Sequence, residues 1–152
     1  MLEVITGGMF AGKTEELLRR LERHRIARRR VALVKPDLDT RTTKVTTHNG
    51  KEFDSITVDP KDWAVVEEII KENDVIGFDE AEFFSEEIYQ ILKEFEQSGT
   101  EKIFIACGLD MDSEGEPFGI MPALMAIASD VTKLHAVCEN CFVPANISFS
   151  LV

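Results

Sequence analysis

The stretch Gly7-Gly8-Met9-Phe10-Ala11-Gly12-Lys13-Thr14 fits the phosphate-loop pattern G-x-x-x-x-G-K-[ST]. Gly7 and Gly12 allow positive φ and bring a row of backbone N–H groups against a polyphosphate. Lys13 is placed to reach the β and γ oxygens, and the Thr14 hydroxyl to ligate a nucleotide-bound Mg²⁺. Further along, Asp74-Val-Ile-Gly-Phe-Asp79-Glu80 is an apolar run ending in two carboxylates. That is the form of a strand whose terminal aspartate holds Mg²⁺, weak alone and moderately strong downstream of a phosphate loop. Cys138 and Cys141 have the spacing of half a zinc site.

The elements that must position these groups are an apolar run Leu2 to Ile5 before the loop and an apolar-periodic helix after it, with Leu17, Leu18, Leu21 and Ile26, ending near Ala27. The helix also aims its positive end at the anion. Arg30 to Lys35 reads as a second buried strand stopped by Pro36. Asp39 and Arg41 follow in a polar loop at its carboxyl end, where ligands of an open parallel sheet lie, although turn residues would look the same. Lys44–His48 and Lys51–Val58 flank Asn49-Gly50 as a hairpin. Asp59 and Pro60 are read as the N-cap and first position of a helix through Ile70. Ser85 caps a helix with Ile88, Ile91, Leu92 and Phe95 inside, and Lys102 to Cys107 forms a further buried strand, its cysteine a small buried hydrophobe. The long polar loop Gly108–Glu116 suits function. Pro117 and Phe118 open the next helix, and Asp130 to Val137 is the last main strand.

The 152 residues suffice for one core and at most a small second unit. No apolar stretch is long enough to span a bilayer and no signal sequence opens the chain, so a cytoplasmic protein without a membrane partner is expected. A net charge of −11 argues against a polyanion-binding surface. Residues 1–41 carry ten Lys or Arg against six Asp or Glu, the remainder seven against twenty-two. The arginine run from Arg19 to Arg30 is read as the solvated face of a helix. Three cysteines do not make a disulfide framework. His24, His48 and His135 share no ligand spacing and are treated as structural.

Several blocks then read together: the phosphate loop, Lys35-Pro-Asp-Leu-Asp-Thr-Arg41, Thr47-His48, Val75 to Phe84, Gly108-Leu-Asp110, Pro117-Phe-Gly119 and Ala136 to Cys141. In order and spacing the sequence resembles, over nearly its whole length, the thymidine kinase family typified by the human cytosolic enzyme. The resemblance implies a RecA-like P-loop NTPase α/β domain with a mostly parallel sheet at residues 1–136. Residues 137–152 would begin a small zinc-ribbon-like domain. It implies transfer of the γ-phosphate of Mg-ATP to the 5′-hydroxyl of thymidine or deoxyuridine, a step of nucleotide salvage for DNA synthesis. A homotetramer inhibited by thymidine triphosphate is implied as well. Glu80 matches the general base. Gly7 to Thr14, with Asp39 and Arg41, match the phosphate side, and Thr14 with Asp79 the Mg²⁺ groups. Met9, Phe83, Leu109 and Phe118 match the nucleoside pocket, and Cys138 and Cys141 two ligands of a structural Zn²⁺. The family pattern adds a second Cys-x-x-Cys with a base-gripping loop before it, neither of which is among these residues, so either a shortened chain or a divergent member is expected.

Three positions depart from the family pattern. Ala11 stands for a serine, Glu82 for a glutamine, and Ser113 for an aromatic of the vertebrate relatives. The added Glu82 charge, two residues from Glu80, is expected to raise the pKa of either carboxylate, and Ser113 to weaken base stacking. A nucleic-acid motor is the main alternative, since Asp79-Glu-Ala-Glu82 is like a helicase Asp-Glu box, but one lobe with this net charge offers no basic track. A non-catalytic zinc-bearing module does not account for the phosphate loop.

Overall fold

Val4 and Ile5 are neighbours on one strand, yet they are buried in different apolar clusters. The same alternation separates Ala32 and Val34 from Leu33, and Phe104 and Ala106 from Ile105 and Cys107. Strands that bury both faces require a layer on each side, the condition of a parallel sheet covered by helices.

The computed structural model describes residues 1–8, 11–38, 44–46, 52–137 and 144–145. The strands are β1 (Leu2–Gly7), β2 (Val31–Pro36), β3 (Lys44–Thr46), β4 (Glu52–Asp54), β5 (Ile56–Val58), β6 (Val75–Phe78), β7 (Ile103–Leu109), β8 (Asp130–Leu134), β9 (Ala136–Val137) and β10 (Pro144–Ala145). The helices are α1 (Lys13–Ile26), α2 (Trp63–Glu72), α3 (Glu86–Gln97) and α4 (Met121–Ile127). Six strands form one sheet in the order β5-β2-β6-β7-β1-β8. Every pairing in it is parallel. All their carboxyl ends therefore share one edge, and the loops leaving that edge build the site.

Helix α1 covers one face with Leu17, Leu18 and Leu21, against Ile5, Leu33, Val75, Ile105 and Cys107. Residues of α2, α3 and α4, among them Val66, Ile70, Ile88, Leu92 and Leu124, cover the other against Leu2, Val4, Val34, Ile76, Phe78 and Phe104. Gly77 sets the first spacing: a Cβ there would lie 2.7 Å from Leu21 Cδ1.

Four element boundaries differ from the sequence reading. Helix α2 begins at Trp63 with Asp62 as N-cap, its side chain accepting from Val65 N at 3.2 Å. Asp59 instead holds the preceding turn, accepting from Lys61 N at 2.8 Å. The arm expected over Lys51–Val58 is two strands: β4 pairs antiparallel with β3, and β5 joins the main sheet beside β2. Asn49 and Gly50 lie outside the described residues. Helix α4 starts at Met121, not Pro117, because Pro117 bridges Met111 across a small antiparallel turn. Asp112 closes that turn, its Oδ1 accepting from Glu114 N and Glu116 N, so the polar loop is a compact hairpin. The last main strand ends at Leu134, and β9 pairs antiparallel with β10 in a separate ribbon.

Candidate active site

The carboxyl end of β1 runs straight into the glycine motif. Gly7 has φ 146°, and a Cβ on it would lie 2.3 Å from the Leu134 carbonyl oxygen, so the entry to the loop admits only glycine. Gly12 is the N-cap of α1 at φ 82°. Both glycines thus adopt the backbone that the motif demands. Ala11 is half-buried, while Met9 and Phe10 lie outside the described residues.

Lys13 Nζ donates to the Gly8 carbonyl at 2.6 Å, folding back over the loop. Burial lowers its pKa from the ordinary lysine value, and Cys107, Glu82, Asp110 and Asp79 oppose that shift. The ammonium therefore stands among acidic groups of the segments that follow β6 and β7.

Asp79 directly follows β6 and is buried. Its Oδ1 accepts from Glu80 N at 3.0 Å, from Cys107 Sγ at 3.2 Å and from Thr14 Oγ1 at 3.4 Å. The two groups assigned to Mg²⁺, sixty-five positions apart, are in contact. An anionic oxygen and a hydroxyl side by side at the N-terminus of α1 are hard donors of the kind Mg²⁺ takes, so the residues fit the metal. Among the described residues no cluster of three or more His, Cys, Asp or Glu could hold a metal ion. Cys138 and Cys141 lie outside that set.

Glu80 occupies the left-handed region at φ 51° and precedes a single 3₁₀ turn, Ala81–Phe83. It is thus not part of the strand β6, which ends at Phe78. Its side chain makes no capping hydrogen bond to the turn. A strained non-glycine residue beside a metal-type aspartate is a pattern found at functional sites.

Phe83 and Phe118 meet edge to face with centroids 5.3 Å apart, and Phe83 remains 40% exposed. Leu109 ends β7 in register with Gly7. Three of the four expected nucleoside-side residues thus belong to segments at the carboxyl edge. Met9, Asp39 and Arg41 lie outside the described residues. Glu82 is buried between two glycines: Oε1 lies where a Cβ on Gly108 would be 2.5 Å away, and its carbonyl oxygen 2.0 Å from a Cβ built on Gly119. Burial above all pushes its pKa up to about 7; backbone N–H groups of Glu82 and Leu109 oppose this, and the Glu80 charge adds to it. The expected pKa rise therefore falls on Glu82, mainly by desolvation. Ser113 is exposed at the tip of the hairpin.

The family model described as thymidine kinase matches residues 1–152. The chain belongs to the thymidine kinase family. It is 50% identical over 143 residues to the thymidine kinase of Coprothermobacter proteolyticus, covering 92% of this chain and 70% of that relative. It is 43% identical over 153 residues to the thymidine kinase of Bacteroides fragilis, covering 99% and 75%. Solved structures show the fold more widely. The Thermotoga maritima RuvB Holliday junction branch migration motor matches with a TM-score of 0.53 at 9% identity, covering 90% of this chain and 38% of that one. The replication initiator DnaA bound to AMPPCP and single-stranded DNA matches with a TM-score of 0.54 at 15% identity, covering 89% and 40%. At such identities these matches speak for the fold alone, a P-loop α/β architecture.

Within this thymidine kinase family member, two contacts were not legible in the sequence. Cys107, read as a buried hydrophobe, donates to Asp79, a contact that needs the β6–β7 register, Phe78 opposite Ala106, to be seen. Asp110, also buried, has Oδ2 3.0 Å from Lys133 Nζ, an ion pair without the alignment of a hydrogen bond. His24 contacts Arg29 and His135 is exposed, whereas His48 lies outside the described residues. Two surface clefts, of about 580 and 430 Å³, are lined around Asp74, Lys102 and Ile103 and around Glu3, Arg23 and Asp130, away from the carboxyl edge.

Proposed function

We propose that the chain transfers the γ-phosphoryl group of ATP to the 5′-hydroxyl of thymidine or deoxyuridine, with Glu80 as the base. As a family member it is a kinase that acts on thymidine, and the family match over residues 1–152 carries that reading. Support for the residue roles comes from the meeting of Thr14, Asp79 and Glu80 at the end of β6 beside Lys13. The backbone N–H groups of the loop and Lys13 hold the phosphates, and Lys13 exchanges the Gly8 carbonyl for a phosphate oxygen when nucleotide enters. Thr14 and Asp79 would hold Mg²⁺, which would supply charge neutralisation to the triphosphate. Glu80 orients the acceptor hydroxyl and takes its proton, while Phe83, Leu109 and Phe118, with Met9, face the nucleoside.

The same reading makes residues 1–136 the kinase unit and residues 137–152 the start of a zinc-binding unit in which Cys138 and Cys141 supply two of four ligands. It extends to a homotetramer in the cytoplasm, inhibited by thymidine triphosphate. Among the described residues no helix is long and apolar enough to cross a membrane.

The test is ADP release by the purified chain with Mg-ATP, with either thymidine or single-stranded DNA added. Turnover that depends on thymidine is the expected result. Stimulation by DNA without a response to thymidine would overturn it.

A further inference from the structure

We propose that Cys107 is a positioning residue for this reaction, its thiol fixing the Asp79 carboxylate through the bond to Oδ1. Strands β6 and β7 pair in parallel with Phe78 opposite Ala106, so the next residues, Asp79 and Cys107, come side by side at the carboxyl edge. The thiol donates to Oδ1 at 3.2 Å and is 1% exposed, so water does not compete for it. A thiol is a weak donor, but a desolvated carboxylate is a strong acceptor, and a low-dielectric setting strengthens the contact.

The three hydrogen bonds to Oδ1 are not equivalent. Thr14 is itself assigned to the metal, so its hydroxyl leaves or shares Asp79 when Mg-nucleotide binds. What then holds Oδ1 is the Glu80 amide, fixed by the turn, and the Cys107 thiol, fixed by the sheet. A carboxylate held from both sides keeps one rotamer, which lowers the ordering cost of metal binding. A cysteine acting only as a small buried hydrophobe would leave the metal dependence unchanged when replaced by another apolar residue.

This inference rests on the kinase reading, but its test needs no thymidine. The measurement is binding of a non-hydrolysable ATP analogue to the full chain across a Mg²⁺ titration and in EDTA, for wild type, Cys107→Ala, Cys107→Val and Cys107→Ser. Loss of the donor should raise the Mg²⁺ concentration at half-maximal binding about three- to tenfold in both the alanine and valine variants. Metal-free nucleotide affinity should stay unchanged. Serine, which keeps a donor, should recover the wild-type value to within about twofold. Wild-type Mg²⁺ dependence in the alanine and valine variants would overturn the proposal. So would an equal shift in all three variants, which would make Cys107 a packing residue. Loss of thymidine turnover in the wild type would instead count against the kinase reading.

Discussion

Glu80 and Asp79 are adjacent in the chain and differ in what surrounds them. Asp79 is buried and accepts three hydrogen bonds on one oxygen, whereas Glu80 is half-buried at φ 51° with no capping bond. Glu80→Gln should therefore lower kcat by at least about two orders of magnitude with KM for ATP and the melting temperature little changed. Asp79→Asn should also weaken the use of Mg-ATP. Steady-state kinetics on both variants check this, and an unchanged kcat for Glu80→Gln would remove it from the mechanism. Glu82 behaves differently because it is enclosed. Its pKa rises from 4.5 to about 7 on folding, so its contribution to stability is complete below about pH 4.5 and is lost as pH rises through about 7. At about 1.4 kcal/mol per pKa unit the swing is at most about 3–4 kcal/mol. Glu82→Gln should accordingly gain stability over wild type between pH 5 and pH 8 in denaturant unfolding, and a constant difference across that range would refute it. The glycines, Lys13 and Thr14 could be read from the sequence because backbone chemistry fixes their types and spacing. Cys107 could not, since nothing near it in the chain reveals which strand lies beside β7.

Elements were legible where apolar periodicity was long and ambiguous where two residues competed for one cap. Helices α1 and α3 begin where their motif and Ser85 place them. Helix α2 starts later because Asp59 and Asp62 are both good caps, and the first is taken by the turn around Pro60. Helix α4 starts later because Pro117 is held in a bridge to Met111, information that only tertiary pairing supplies. That hairpin also leads to Gly119, which at φ 53° passes over the Glu82 carbonyl so closely that a Cβ would approach it to 2.0 Å. Gly119→Ala therefore combines left-handed strain with a backbone collision and should lower stability by about 2–4 kcal/mol. Because the 3₁₀ turn must yield, the Phe83–Phe118 pair moves with it, and KM for thymidine should rise while KM for ATP does not. Thermal unfolding and steady-state kinetics on the variant test both parts, and a loss of stability with an unchanged KM for thymidine would sink the second.

At the scale of the molecule, the excess of positive charge in the first 41 residues has a location that composition does not give. Helix α1 starts at the phosphate loop, and at about 1.5 Å per residue its last turn lies roughly 20 Å away. Its arginines are drawn into local pairs: Arg19 with Glu16, Arg25 with Glu22, and Arg20 with Glu3 on β1. A basic end of the chain is thus not a basic site. Exposed pairs are worth little and are screened beyond about 10 Å at ordinary ionic strength, so these charges do not hold the triphosphate. Lys13, half-enclosed at the start of the same helix, does so under the proposed mechanism. Replacing Arg19 and Arg23 together by alanine should leave KM for ATP within about twofold of wild type, whereas Lys13→Ala should abolish transfer while the fold persists. A tenfold rise in KM for the double variant would show that the outer face of α1 steers nucleotide to the loop. A folded Lys13→Ala enzyme of normal kcat would remove the phosphate loop from the chemistry.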